Sequence, residues 1–188
     1  MNFDVRFAGV GGQGAVTAGR LLAEAVTVDG QWYAAQTAAY GAAVRDGPAV
    51  SNVRVSDAPV IFPWVVQPDC LVAFHQSALD AHVGALKPGG VLVVDPLLVT
   101  KLPVGLDAEV HGVRITELAQ EAGHRVVGNI VALAAVARIT RIVSRQAVEH
   151  VAIARAPKGT ERLNRRALDL AFGLDLSEAM RGEGVGGR

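Results

Sequence analysis

The chain has 188 residues, 51% hydrophobic and only 19% charged, and its eighteen basic and eighteen acidic residues cancel. Its mean hydropathy is +0.31. A chain this apolar is not disordered, since disorder needs low hydrophobicity and high net charge. The neutral balance leaves no electrostatic footprint for nucleic acid or an anionic membrane. The single cysteine, Cys70, makes no internal disulfide and alone cannot ligate an iron–sulfur cluster or a structural zinc.

The charged fraction falls short of the roughly one quarter usual for soluble domains. Such a chain either enters a membrane or hides surface against partners. The N-terminus, Met1-Asn2-Phe3-Asp4-Val5-Arg6, lacks the basic and long apolar regions of a signal peptide. The longest apolar stretch, Ile130 to Val143, is interrupted by Arg138 and Arg141 and falls short of the roughly 20 residues a spanning helix needs. The expectation is a cytoplasmic protein with a large core and an apolar interface.

Phe3 to Val10 predicts a strand, with Phe3, Val5 and Phe7 alternating against Asp4 and Arg6. Glycines follow, and from Ala15 the period becomes helical, with Ala15, Ala18, Leu22 and Ala25 on one face. Asp29-Gly30 ends that unit. Gln31 to Ala35 reads as a short second strand, Thr37 to Pro48 as a loop, and Ala49 to Val55 as a strand. Cys70 to Phe74 is a continuous apolar run, as in a buried parallel strand. Ser77 to Leu86 predicts a helix, Lys87-Pro88-Gly89-Gly90 a turn, Val91 to Val94 a buried strand, and Glu109 to Ile115 a short strand. Helices are expected over Glu117–Ala122, Gly128–Val143, Arg145–Ile153 (with Ser144 as N-cap) and Glu161–Phe172. The expected architecture is α/β: a three-layer, Rossmann-like, mainly parallel sheet with helices on both faces and a helical C-terminal part. It forms one domain over 1–180, followed by a flexible tail at 181–188.

Gly9-Val10-Gly11-Gly12-Gln13-Gly14 carries G-x-G-x-x-G between a strand and a helix. There, glycines permit a tight turn and close approach, and free N–H groups at the helix start face a phosphate or carboxylate. A dinucleotide site needs an acid at the end of the second strand, which here reads Ala34-Ala35-Gln36-Thr37, while Asp29 precedes that strand. Three readings stay open: a dinucleotide site, a tight turn without ligand, and a site for another anionic group or an intersubunit contact. Tyr40-Gly41, with Arg45 and Asp46 close by, is expected beside the carboxyl ends of the early strands, either as an anion or partner contact or as a solvated loop. The five histidines show no metal-ligand spacing, Cys70 reads as an inert core thiol, and no complete catalytic set is present, so no catalytic or metal-binding residue is assigned. The helix Gly128–Val143 is apolar almost all round, with Arg138, Arg141 and Arg145 on one side, which suggests contact with another subunit.

From Phe3 to about Phe172 the chain resembles the gamma subunit of 2-oxoacid:ferredoxin (acceptor) oxidoreductases of the pyruvate/2-oxoglutarate type. The resemblance rests on Gly9-Val-Gly-Gly-Gln-Gly14, on Tyr40-Gly41 with Arg45 and Gly47, and on Val55-Ser-Asp-Ala-Pro59. It continues through Gln76-Ser-Ala-Leu79, Leu86-Lys-Pro-Gly-Gly90, Thr116-Glu-Leu-Ala119 and Gly128-Asn129. The family commonly has Pro-Glu after Tyr-Gly and then Arg-Gly-Gly, where this chain has Ala42-Ala43 and Arg45-Asp46-Gly47.

The resemblance implies one component of a heteromeric cytoplasmic enzyme, inactive alone. Such complexes turn a 2-oxoacid and coenzyme A into acyl-CoA and carbon dioxide, and reduce ferredoxin. Thiamine diphosphate and iron–sulfur clusters would sit on partner alpha, beta and possibly delta subunits, with coenzyme A as co-substrate. Carried over by position, Gly11, Gly12, Gln13, Gly14, Tyr40, Gly41 and Arg45 are the expected cofactor-binding surface. The isolated chain is open to self-association. Two other functions fit the residues: a free-standing Rossmann-like NAD(P) oxidoreductase, and a non-enzymatic coenzyme A or nucleotide-binding module.

Overall fold

The computed structural model describes residues 2–41 and 47–175 in full, and the backbone of 179–180. The elements run β1 (Asn2–Val10), α1 (Ala15–Asp29), β2 (Tyr33–Tyr40), β3 (Pro48–Ser56), β4 (Cys70–Ala73), α2 (Gln76–His82), β5 (Gly90–Val94) and β6 (Ala108–Gly112). Then follow α3 (Ile115–Ala122), α4 (Gly128–Thr140), α5 (Arg145–Ala154), α6 (Glu161–Phe172) and β7 (Ala179–Met180). The described strands form one sheet in the order β2-β3-β1-β4-β5-β6-β7. Strands β1, β4, β5 and β6 pair in parallel, whereas β3 is antiparallel to both its neighbours and β7 is antiparallel to β6. The expected α/β, Rossmann-like architecture holds, with its parallel part confined to those four strands.

The alternation in β1 divides the molecule into two faces. Val5 and Phe7 join a core with α1, α3, α4, α5 and α6, while Ala8 belongs to a second cluster with α2 and the loop residues Val99, Leu102 and Leu106. At β1 and β3 this second face turns polar. Arg54 grips Asp4 with two hydrogen bonds of 2.8 and 2.7 Å, and Arg6 donates to Asn52 at 2.7 Å. Arg6 also donates to the Val65 carbonyl at 2.7 Å, and Arg54 to that of Phe62 at 2.9 Å. These bonds hold the segment after β3 across the sheet with Ile61, Phe62, Trp64 and Val66 exposed.

Several boundaries differ from the sequence reading. The second strand starts later and runs further, so Thr37–Tyr40 is strand and not loop. Its alanines give no alternating signal; pairing with β3 from Tyr33↔Ser56 to Tyr40↔Ala49 extends it. The expected strand at 109–115 ends at Gly112, and Ile115 opens α3. Helix α4 stops at Thr140, where Arg141 takes the left-handed conformation at the C-cap.

One functional expectation is overturned here. Residues Gly128 to Ala137 of α4 are all buried, and the helix packs against α1, α3, α5 and α6 of its own chain. Its all-round apolar surface is therefore core, and not a face pressed against another subunit. No described helix is long and apolar enough to cross a membrane. The expected tail at 181–188 lies outside the described residues.

Candidate functional site at the glycine loop

The chain order β1–α1–β2 runs to one side of β1, and β4–α2–β5 to the other. The direction of winding thus reverses beside the carboxyl ends of β1 and β4, where open α/β sheets form ligand crevices. The glycine loop lies at that point. Gly11 donates its N–H to Gly47 at 2.9 Å, and Gln13 donates to Val10 at 3.2 Å. Gly12 and Gly14 have φ of 89° and 77°, the left-handed region that glycine enters without strain.

The two glycines are held differently. A Cβ on Gly14 would lie 2.8 Å from the Asn129 Cβ, whereas one on Gly12 would point into open space. Gly14 is the N-cap of α1 and offers no side chain, and the first turn of the helix carries no acid. The N–H groups at that helix start therefore await an external acceptor. They face a cavity of about 480 Å³ walled by Gly11, Gly12, Tyr40, Gly41, Val126 and Asn129. Asn129 is 9% exposed and its side chain makes no hydrogen bond among the described residues, so its amide is available at the wall of this cavity.

The structure thus brings Gly11, Gly12, Gly14, Tyr40 and Gly41 to one cavity. Tyr40 ends β2 and is exposed, and Gly41 packs so closely on Pro48 that a Cβ would come within 2.6 Å of its ring. Gln13 is placed otherwise. Its Oε1 accepts from Val10 N at 2.8 Å and its Nε2 donates to the Phe74 carbonyl at 3.0 Å, so it braces the ends of β1 and β4. Arg45 lies outside the described residues.

A second cavity of about 280 Å³ adjoins across Gly12 and Gln13, lined by Phe74, Asp95, Thr116 and Arg125. Asp95 is buried and fully engaged. It accepts from Leu97 N at 3.1 Å, from Thr116 N at 2.8 Å and from Thr116 Oγ1 at 2.5 Å, tying β5 to the start of α3. Asn129 and Arg125 were not singled out as site residues by sequence reasoning, because each sits far along the chain from the glycine motif. The Gly128-Asn129 pair was the only available signal.

The remaining chemistry-bearing residues fall into structural roles. His75 caps α2 by accepting from Ser77 N at 3.2 Å, and His124 accepts from Val126 N at 3.1 Å. Burial pushes the Cys70 thiol up to about 12, so it is not a nucleophile at neutral pH. Asp29 lies at the opposite end of α1 from the glycine loop, with both oxygens held by Ser144, through N at 3.0 Å and Oγ at 2.5 Å. It therefore cannot hold a ribose at the loop. The end of β2 is also displaced from β1 by the intervening β3, which removes the dinucleotide geometry.

Comparison with known proteins agrees with this architecture. The sequence profile of the family described as "Pyruvate ferredoxin/flavodoxin oxidoreductase" matches residues 4–174. The chain is 38% identical to 2-oxoglutarate synthase subunit KorC of Methanocaldococcus jannaschii over 175 residues, which is 92% of this chain and 93% of that one. It superposes on the crystal structure of the keto/oxoacid ferredoxin oxidoreductase gamma subunit of Geobacter sulfurreducens with a TM-score of 0.83 and 39% identity, covering 92% and 95% of the two chains. The fold also recurs in 2-oxoglutarate:ferredoxin oxidoreductase of Magnetococcus marinus, at a TM-score of 0.79 and 22% identity, over 94% of this chain but only 32% of that one. The chain belongs to the pyruvate ferredoxin/flavodoxin oxidoreductase family.

Proposed function

We propose that this chain is the gamma subunit of a multisubunit, cytoplasmic 2-oxoacid:ferredoxin oxidoreductase. The observation that carries this reading is the end-to-end match with small chains of the same extent, KorC and the Geobacter gamma subunit. The reaction of such a complex joins a 2-oxoacid and coenzyme A into acyl-CoA, releasing carbon dioxide, a proton and two electrons for ferredoxin. The electrons cannot travel through clusters held by this chain: its single cysteine is buried and does not fit an iron–sulfur cluster. On the family resemblance, clusters and thiamine diphosphate are assigned to alpha, beta and possibly delta partners. The exposed residues of the Ile61–Val66 segment are consistent with a chain that works against others.

Within that complex, the glycine-loop cavity is the surface this chain turns toward coenzyme A. The N–H groups of Gly12 and the first turn of α1 suit a phosphate or carboxylate oxygen, and Asn129 and Tyr40 add side-chain donors. Gln13 acts as a positioning residue, holding the loop against β4. Arg45 enters on the family resemblance, as a guanidinium for the same anion.

The test is steady-state kinetics of the assembled complex with coenzyme A as the varied substrate and 2-oxoglutarate as the first 2-oxoacid tried. Asn129→Ala and Arg45→Ala are each expected to raise the KM for coenzyme A about tenfold, the loss of one or two charge-assisted or buried hydrogen bonds. The KM for the 2-oxoacid should stay within about twofold. Unchanged coenzyme A dependence in both variants removes this cavity from the proposal.

A further inference from the structure

Helices α1 and α4 both start at the glycine loop and run to the opposite edge of the sheet. Their 15 and 13 residues set the two ends roughly 20 Å apart at the usual rise per residue. At the far end lies another cavity, of about 510 Å³, within the range of small-molecule sites. It is walled by Gln31 and Trp32 from the turn before β2, by Arg138 and Arg141 from the end of α4, and by Phe172.

The polar groups around this cavity are unevenly satisfied. Asp29 accepts from Ser144 N and Oγ, and Arg145 is held by Glu149 and Asp169 with its guanidinium 4.9 Å above the Phe172 ring. Arg138 spends one N–H on the Phe172 carbonyl at 2.7 Å. Arg141 makes no side-chain hydrogen bond or ion pair among the described residues, and neither does the half-buried indole of Trp32. Near the end of α4, the Ala137 carbonyl accepts from Arg141 N and the Val136 carbonyl from Thr140 Oγ1. The cavity wall therefore holds two guanidiniums with donors to spare, and Asp29 is the one carboxylate among its lining residues.

The backbone adds a separate observation. Arg141 has φ of 56°, the only positive φ of a non-glycine residue among those described. Glycine or asparagine is the favoured residue at such a helix C-cap, and an arginine there carries strain. The strain places a long cationic side chain at the mouth of a cavity that already holds an arginine and an aromatic ring.

We propose that this cavity binds a nucleoside phosphate. The forked guanidiniums of Arg138 and Arg141 match a phosphate, and the Trp32 indole and Gln31 amide suit a planar base. The site is distinct from the glycine loop and lies away from the ligand edge of the sheet, so its occupant acts on the subunit and is not a reactant.

Trp32 supplies the readout. In the full chain carrying Trp64→Phe, Trp32 is the sole tryptophan, and its fluorescence is titrated with ADP and with pyrophosphate. ADP is expected to give a saturable change, retained in Asn129→Ala, which alters only the glycine-loop cavity. Arg141→Gly, which relieves the backbone strain and should not lower Tm, is expected to weaken ADP about tenfold. Absence of a saturable change, equal affinity in Arg141→Gly, or pyrophosphate binding as tightly as ADP would each overturn the proposal. None of these outcomes bears on the coenzyme A kinetics of the glycine-loop variants.

Discussion

At the scale of single residues, the glycine motif separates into parts with different jobs. Gly14 is required twice, by its left-handed backbone and by the Asn129 side chain against it. Gly12 is required by its backbone alone, since a Cβ there meets nothing. Gly14→Ala should therefore cost about 2–4 kcal/mol, combining the left-handed penalty with a clash against packed side chain, and Gly12→Ala about 1–2 kcal/mol. Urea denaturation of the two variants checks this; equal losses would show that Asn129 yields freely. The site was legible to this extent only. A motif of six residues announced the loop, but whether Gln13 faced a ligand or the backbone depended on Phe74, which follows β4 and lies 61 residues further along the chain.

At the scale of elements, the glycine with least room for a side chain among those described does not lie in the motif. A Cβ on Gly19, five residues further on in α1, would lie 2.1 Å from Ser51 Oγ of β3, and Ser51 is itself bonded by Gln36 of β2 at 2.8 Å. Gly19 thus lets α1 sit down on β3 and keeps β2 in place. Gly19→Ala should lower stability by about 1–3 kcal/mol through overpacking, against the gain expected for Gly to Ala in a free helix. A Tm at or above that of the parent would show that the contact is loose. The elements themselves were largely readable, because β1, β4 and β5 carry unbroken apolar or alternating runs and α6 a clear polar face. What escaped was the β2–β3 hairpin. Alanines on both faces of β2 hide its period, and the antiparallel insertion of β3 beside β1 is fixed by pairing between distant segments.

At the scale of the molecule, the surplus of apolar residues has a different destination from the one its pattern suggested. Much of it lies in α4, enclosed by four helices of the same chain. The apolar surface that remains exposed is concentrated at Ile61, Phe62, Trp64 and Val66, where Arg6 and Arg54 fasten a short segment over the polar part of the sheet. A periodicity argument finds an all-apolar helix but not what surrounds it, and α4 became a core helix only once α1, α3, α5 and α6 were packed around it. The chain that results has two adjoining cavities described at the ligand edge of its sheet, a buried inert thiol, and a fold shared almost end to end with gamma subunits.

Dependence on partner subunits is the property on which the proposed function stands. It is tested by isolating the affinity-tagged chain from its native host and assaying each fraction for dye reduction that requires both a 2-oxoacid and coenzyme A. Activity is expected in fractions where the chain co-elutes with partners carrying thiamine diphosphate and iron–sulfur clusters, and none in the chain alone. A chain that elutes by itself throughout, with the activity elsewhere or absent, would contradict it.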